Sequence, residues 1–529
     1  MKIYSNNYRL CFTILAISAL FIAVYSCTSV VENDEPISPD WPHAVTYEIF
    51  VHAFADGSGD GIGDFQGLTS KLDYLADLGI KGLWLMPIHP SPSYHKYDVI
   101  DYREIHPDYG TMDDFQLFLS EAHARDIRVV IDFVVNHSGR DHPWFQNALA
   151  DTTSPYFDFY IWENEDDIES LTVEYTGPDT DNVRRWNEVE ELGMYYYSYF
   201  WAGMPDLNYD NPAVRDTIYD IGRFWLEDIG VDGFRLDAAR HIFPEHRVED
   251  IHAFWEEFRA EMEKVNPEVY LVGEVWSDTE TVKPYLTGLP ALFNFDMGYA
   301  MMEAAETGSG SGLAAKHAGI RDAYQSVADD FIDATFLTNH DQNRVMSVLD
   351  DDENKARVAA SLLLTMPGAP YIYYGEEIGM RGMKPDPNIR EPILWTEEPD
   401  EMRSRWIEPE YTTDETVVPV SVQLEDEQSL LHHYKRLIAL RNSEPVLTLG
   451  EINPMESTYE ELVVFRRTYH DNSLLVVHNV SGGAIEKNIT STLQAYDSFI
   501  YQSDDAIELT DSTLTLPAQS SAVLYQSGQ

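Results

Sequence analysis

From Trp41 onward, short apolar runs alternate with longer stretches in which apolar positions recur every third or fourth residue. That alternation predicts parallel strands joined by crossover helices. Strands are expected at residues 44–53, 82–87, 128–135, 231–236, 269–275, 291–295, 334–338 and 370–374, with helical patterns at 68–78, 112–125, 213–228, 248–264 and 354–365. Eight strands, each followed by a helix or a long loop, fit a (β/α)8 barrel of the TIM type, in the α/β class, better than an open sheet.

Two stretches break the pattern. Residues 138–207, rich in Tyr, Trp, Asp and Glu, are too long for an ordinary loop and predict an inserted subdomain after the third strand. Beyond the helical pattern at 430–441 the period changes to two, with strands such as 461–467 and 473–478 and no helices, so residues 444–529 read as an antiparallel β-sandwich. The barrel then comprises 41–137 and 208–443.

Ahead of the barrel, Lys2 and Arg9 precede an apolar run at 10–24 that ends in small residues and Cys27, the pattern of an export signal. Val24-Tyr25-Ser26-Cys27 resembles a bacterial lipoprotein cleavage box, with Tyr25 an unusual occupant. Cleavage before Cys27 would remove Cys11, the other of the two cysteines, and leave no disulfide framework. Residues 28–40, polar and acidic, suit a tether, so the expected location is the cell envelope, with a lipid as the membrane contact.

Composition changes the picture in one respect. A hydrophobic share of 44% and an aromatic share of 12% belong to a packed globular chain, but the net charge is −56. Long-range repulsion makes nucleic acid and anionic membranes poor partners; a neutral ligand or a cation suits better. The plainest consequence of that charge is a surface that stays soluble in a salty medium.

Polar residues cluster where four strands run out. The third ends Asp132-Phe-Val-Val-Asn136-His137, the fourth carries Arg235 and Asp237, the fifth ends Gly273-Glu274-Val275-Trp276, and the seventh ends Asn339-His340-Asp341. In a barrel these ends converge on one mouth. Asp237 alone would read as a salt-bridge partner of Arg235; the set is harder to assign to packing. Several carboxylates, with no nucleophilic serine motif and no dinucleotide glycine pattern, point to chemistry at a glycosidic bond. Arg235 keeps Asp237 ionised, while the apolar neighbours of Glu274 raise its pKa and suit it to be the acid.

These motifs, DFVVNH, GFRLDAARH, GEVW and TNHD, resemble in order the conserved regions of the α-amylase family of glycoside hydrolases. The resemblance runs from about Tyr47 to the end and implies retention of anomeric configuration. It makes Asp237 the nucleophile, Glu274 the general acid/base and Asp341 the acid that grips sugar hydroxyls. Arg235, His137 and His340 are implied to line the subsite of the attacked glucose. Tyr94-His95-Lys96-Tyr97-Asp98 is similar to the family's YHGYD, which makes Tyr97 a stacking platform and Asp98 a sugar contact, with Lys96 in place of glycine. Asp386 and Arg390 match an acid and an arginine on the same sugar. Arg240-His241 stands where many α-amylases carry Lys-His on the leaving-group side, and Ala238 is similar to members acting on α-1,4 links. Met204-Pro205-Asp206-Leu207-Asn208 resembles the fifth conserved stretch of members intermediate between α-amylases and oligo-1,6-glucosidases.

The loop Asp56-Gly-Ser58-Gly-Asp60-Gly-Ile62-Gly-Asp64 spaces oxygen ligands at alternate positions, which is calcium chemistry. It matches a structural Ca2+ loop of relatives, Ser58 replacing asparagine. A second calcium position is implied by Asn136, Asp206 and the His241 carbonyl. The expected substrate is an α-glucan, starch, glycogen or maltooligosaccharide, cut internally. An exo-acting glucosidase, a transglycosylase and an inactive glycan-binding barrel are the alternatives. Oligomeric state is not legible in the sequence.

Overall fold

The computed structural model describes residues 41–170, 185–455, 459–488, 495–510 and 513–526. The expected export signal and tether lie outside the described residues. Eight strands, β1 (Thr46–Ile49), β2 (Gly82–Leu85), β3 (Arg128–Phe133), β4 (Gly233–Leu236), β5 (Tyr270–Gly273), β6 (Ala291–Phe293), β7 (Ile332–Phe336) and β8 (Ala369–Tyr373), close a barrel in sequential order. Neighbouring strands pair in parallel, and β8 returns to β1 through Tyr371 opposite Thr46.

Each expected strand is present; the first six are shorter than their apolar runs, while the seventh and eighth keep their length and begin two residues and one residue earlier. The first shows why: residues 44–53 are buried throughout, but Val51–Phe54 turns into a helix that packs under the mouth. An apolar run records burial, not where a ladder ends. Likewise the expected helix 68–78 is two helices, Phe65–Ser70 and Leu72–Leu78, broken at Lys71, and 213–228 is an α-helix, Pro212–Arg223, that loosens into a π-turn ended by Gly230 at φ 93°.

Inside the barrel, alternate strand residues stack in layers. Trp84, Val130, Tyr270, Val272, Ala291, Phe293, Ala334, Phe336 and Tyr371 form one apolar cluster, which is a packed interior and not a pore. Above it the inward positions turn polar: Glu48 on β1, Asp132 on β3 and Arg235 on β4 are all nearly or fully buried. β4 and β5 approach so closely that a Cβ on Gly233 would lie 2.0 Å from the Tyr270 carbonyl oxygen, which only glycine permits.

Between β3 and β4 the inserted segment carries a three-stranded antiparallel sheet (Trp162–Glu163, Met194–Tyr197, Trp186–Val189). It is tied to the barrel by a bridge between His137 and Asp206. The C-terminal region forms a five-stranded sheet and a three-stranded sheet. Leu475, Val477, Leu514, Leu516 and Leu524 fill the space between them, while Phe465, Val476 and Val523 on the opposite face join the main core. Strand Leu462–Tyr469 sends Arg467 into that junction, where it donates to the Thr365 carbonyl at the end of helix Glu353–Thr365 (2.6 Å). Among the described residues, no helix is long and apolar enough to cross a membrane.

Candidate active site

The inward alternation of β4 and β5 continues past the strand ends. Gly233, Arg235 and Asp237 share one side of β4, as Tyr270, Val272 and Glu274 share one side of β5, so both carboxylates arrive at the mouth beside one guanidinium. Arg235 Nη1 donates to Asp237 Oδ1 at 2.7 Å and its Nη2 lies 2.9 Å from Glu274 Oε2. Nη1 also reaches both oxygens of Asp132 at 2.9 Å, and the guanidinium sits over the Trp84 ring. The expected pairing of Arg235 with Asp237 is therefore real, and it is part of the site.

Directly after Asp237, Ala238 adopts a left-handed conformation (φ 49°) that costs a non-glycine residue of order 1 kcal/mol. The turn aims the Ala238 N–H at Glu274 Oε2 (3.1 Å). Burial, with the charges of Asp237 and Asp341, raises the Glu274 pKa against the pull of Arg235. The direction matches the sequence reading; buried surroundings and neighbouring acids produce it.

Asp341 is held the other way. Burial alone would raise it, but His340 and Arg390 keep it well below the usual carboxylate range. His340 Nε2 lies 3.1 Å from Asp341 Oδ2 and its Nδ1 lies 2.5 Å from Glu48 Oε1. Against the cost of burial, these two acids lift the histidine to about 10, so it is an imidazolium at neutral pH. Arg390 completes the brace, donating to Asp341 Oδ1 (2.9 Å), Asp386 Oδ2 (3.1 Å) and the His340 carbonyl (3.0 Å).

Tyr97 stacks on His340 with centroids 5.7 Å apart, and its hydroxyl donates to Asp132 Oδ2 (3.1 Å). It is half-buried, so part of its ring surface stays open. Asp98 accepts from Ser91 Oγ (2.5 Å) and from Ser93 Oγ. Lys96 sits at φ 64°, the backbone state that glycine favours, so the loop keeps a shape that glycine adopts without strain. Its ammonium turns inward over the Tyr109 ring, and burial lowers it to about 8. His137 Nε2 bonds the Tyr97 carbonyl (3.2 Å), which fixes the same loop from β3.

On the far side of Glu274 lies a cleft of about 120 Å3 lined by Tyr199, Phe200, Ala238, Arg240, His241, Glu274 and Trp276. Arg240 donates to the Trp276 carbonyl (3.0 Å), and Tyr199 stacks on His241 at 3.9 Å. Burial, then Arg240 and Arg185, push His241 down to about 3, so it is neutral. Of the aromatic run 195–201, Tyr196 is buried, whereas Tyr199 and Phe200 line this cleft and Trp201 is 50% exposed.

The calcium residues behave differently. Asp56 accepts from the amides of Gly59 (2.6 Å) and Gly61 (2.8 Å), Asp64 caps the next helix through Gly67 (2.7 Å), and Asp60 accepts from Ile62 N (2.9 Å). Ser58 donates back to Asp56 Oδ1 (3.4 Å). The loop thus closes on its own amides, and among the described residues no group of three or more His, Cys, Asp or Glu is gathered to hold a metal. Asn136 and Asp206 do come together. Asn136 Oδ1 is buried without a hydrogen-bond partner, and burial pushes the Asp206 carboxyl up to about 8. An orphaned oxygen beside a buried carboxylate fits a cation in donor chemistry. Arg185, whose guanidinium lies 5.1 Å from the Tyr199 ring, already directs positive charge at both Asp206 and His241.

The sequence reading assigned no role to Glu48, Trp84 or Asp132, which hold His340 and Arg235 in place. Alternation of Thr46 and Glu48 in β1 was the available signal, but a polar alternate position in a strand ordinarily faces solvent.

A parallel barrel that brings three carboxylates and a guanidinium to its mouth defines a carboxylate-type glycoside hydrolase. The catalytic-domain model of alpha-amylase matches residues 48–450, and the C-terminal-domain model of the alpha-amylase SusG matches 462–523. The chain belongs to the α-amylase family and is an α-glucan hydrolase of that family. Alpha-amylase 3 of Dictyoglomus thermophilum is 40% identical over 466 residues, covering 87% of this chain and 89% of its own. A 4-alpha-glucanotransferase of Thermotoga neapolitana is 33% identical over 83% of this chain and 96% of its own. The crystal structure of an alpha-amylase from H. orenii superposes with a TM-score of 0.82 at 42% identity, covering 92% of this chain and 99% of that one.

Proposed function

We propose that the chain cleaves internal α-1,4-glucosidic bonds of starch, glycogen or maltooligosaccharides with retention. The observation that carries this reading is the single guanidinium of Arg235 in contact with both Asp237 and Glu274. Two carboxylates bound to adjacent nitrogens of one side chain are too close for a water to attack between them, which is the spacing of double displacement, about 5 Å. Asp237 attacks the anomeric carbon while Glu274 gives its proton to the departing oxygen. Glu274 then takes a proton from the water that frees the glucosyl unit. Asp341, an acceptor held ionised by His340 and Arg390, grips sugar hydroxyls as positive charge builds on the ring. The cleft beyond Glu274 supports internal cutting, because it offers aromatic and cationic surface where the leaving chain continues.

A long maltooligosaccharide blocked at its reducing end is expected to give a ladder of internal products. Glucose alone would show exo action. Rearranged chains without net new reducing ends would favour glycosyl transfer, as named for the Thermotoga relative, and no product would leave an inactive glycan binder.

Calcium belongs to the same proposal, placed at Asn136 and Asp206 with the His241 carbonyl; the loop of Asp56, Ser58, Asp60, Ile62 and Asp64 fits less well because its carboxylates carry their own amides. The ion would hold the inserted sheet against the barrel. Chelation is expected to lower the thermal midpoint of the wild type and leave that of Asp206→Asn unchanged; equal midpoints with and without chelator in the wild type would remove calcium from the account. An exported, lipid-anchored location rests on the apolar run at 10–24 and Cys27. Palmitate labelling of cells should mark the wild type and spare C27S.

A further inference from the structure

Strand β1 reads Thr46-Tyr47-Glu48-Ile49, and its alternation turns Thr46 and Glu48 to the barrel's inner side. Glu48 pairs in register with Trp84 on one side and Tyr373 on the other, and its own carbonyl accepts from Tyr374 N (3.0 Å). The backbone is locked, and the side chain it presents is buried. A buried acid needs a partner. The groups of the neighbouring β8 are already engaged: the Tyr371 hydroxyl bonds that of Tyr270 (2.8 Å), Tyr373 donates to the Ile389 carbonyl (3.1 Å), and Glu376, just beyond, accepts from Tyr434 (2.8 Å). Among the described residues the sole ion pair of Glu48 is with His340, whose Nδ1 lies 2.5 Å from Oε1.

Across the ring, His340 Nε2 faces two more oxygens, the Tyr97 hydroxyl at 2.7 Å and Asp341 Oδ2 at 3.1 Å. Tyr97 donates onward to Asp132 Oδ2 (3.1 Å), and Asp132 accepts from the same Arg235 nitrogen that holds Asp237. Five groups thus stand in single file: Glu48, His340, Tyr97, Asp132 and Arg235. The file has a direction. Tyr97 spends its one proton on Asp132, so its oxygen must receive one from His340 Nε2. The imidazolium carries a second N–H, which goes to Glu48. A neutral ring facing Glu48 would spend its single proton on Nδ1 and turn a lone pair toward both Tyr97 and Asp341.

We infer that Glu48 is a positioning residue of the hydrolytic site: it holds the second proton of His340, and with it the direction of a hydrogen-bond file that joins the brace of Asp341 to the brace of Arg235. The inference rests on the reading of Asp341 as the acid that grips sugar hydroxyls. Glu48 touches no sugar. It acts through His340, whose charged ring gives an N–H to Asp341 and to the stacking platform Tyr97 at once, and through Tyr97 on Asp132. His340 keeps its charge on the acid side of its own titration and loses it as pH rises through that value, which stands at about 10 with Glu48 in place. Without Glu48 the groups left facing the ring are Asp341, itself tied to Arg390, the Tyr97 hydroxyl and the Trp84 ring (5.4 Å). One acid then supports the charge where two did.

Glu48→Gln tests this, because it keeps the size and a hydrogen-bonding group at Nδ1 while removing the acid. An amide gives or takes a hydrogen bond, so a neutral His340 settles in either tautomer. On a maltooligosaccharide at pH 8, kcat is expected to fall about tenfold, the worth of one charge-assisted hydrogen bond. KM should stay near that of the wild type, because the grip tightens only as the sugar ring gains charge. At pH 5 solvent returns the second proton, and the two rates should agree within about twofold. Both proteins carry Glu274 and Asp132, so the ratio of rates cancels their titrations. In the full wild-type chain with isotope-labelled histidine, both ring nitrogens of His340, assigned by their loss in His340→Asn, should carry protons at pH 8. A single proton there would overturn the inference. So would a Glu48→Gln deficit equal at pH 5 and pH 8, the sign of a ring merely held in place, or one confined to KM. If the wild type releases no product from any glucan, the role of Asp341 falls, and the nitrogen measurement still decides where the proton sits.

Discussion

The Glu274→Gln variant is expected to lose about a thousandfold of its turnover on starch, within the 10²–10⁴ range of a general acid. The amide keeps the size and can still accept the Ala238 N–H, but it cannot give a proton to the leaving oxygen. An aryl maltoside with a nitrophenolate leaving group should be affected far less at the bond-breaking step, since that group departs without a proton. Wild-type turnover in E274Q would remove the acid role outright. The pH profile carries the same information. The reacting form is protonated Glu274, and burial with Asp237 and Asp341 raises its pKa, so activity should persist above the usual glutamate range and fall as pH rises through that raised value. In E274Q the residual rate should show no such alkaline limb.

The second large effect is on stability. Replacing Arg235 with methionine keeps most of the volume and removes the cation from Asp132, Asp237 and Glu274 together. Removing one partner from a buried ionic cluster costs about 3–5 kcal/mol, because charge is left without compensation. The sign with pH follows from Asp132, which burial and Asp237, opposed by Arg235, already place at about 7. A carboxyl raised in the folded state favours folding in acid, and that contribution is lost as pH rises through the folded value. Without the arginine the folded value climbs further, so the deficit of R235M should be widest near pH 8 and smaller near pH 5, measured by denaturant unfolding at both. An equal deficit at the two pH values would mean lost packing over Trp84, with charge playing no part.

Much of the site was legible in the sequence because of where its acids stand. Asp237, Glu274 and Asp341 each follow an apolar strand, and an acid at a strand's end must face either a core or a mouth. Glu48 and Asp132 lie inside strands, and a polar alternate position there looks the same whether it meets water or a buried guanidinium. The calcium spacing of Asp56 to Asp64 was equally ambiguous, since alternate oxygens on a glycine-rich loop serve amides as readily as a metal. The stack of Tyr94 on Trp406, at 5.1 Å, joins residues more than three hundred positions apart; nothing local announces it. The barrel itself was readable from periodicity, but strand ends were not, since burial outlasts the ladder at Val51–Phe54.

His340 leans on Glu48, contributed by the first strand, while Arg390 arrives only after the eighth. A ribosome delivers those two groups at opposite extremes of the domain's synthesis. No nascent fragment can therefore brace Asp341 from both sides, and hydrolytic competence should appear in one step, when the final strand docks against the first.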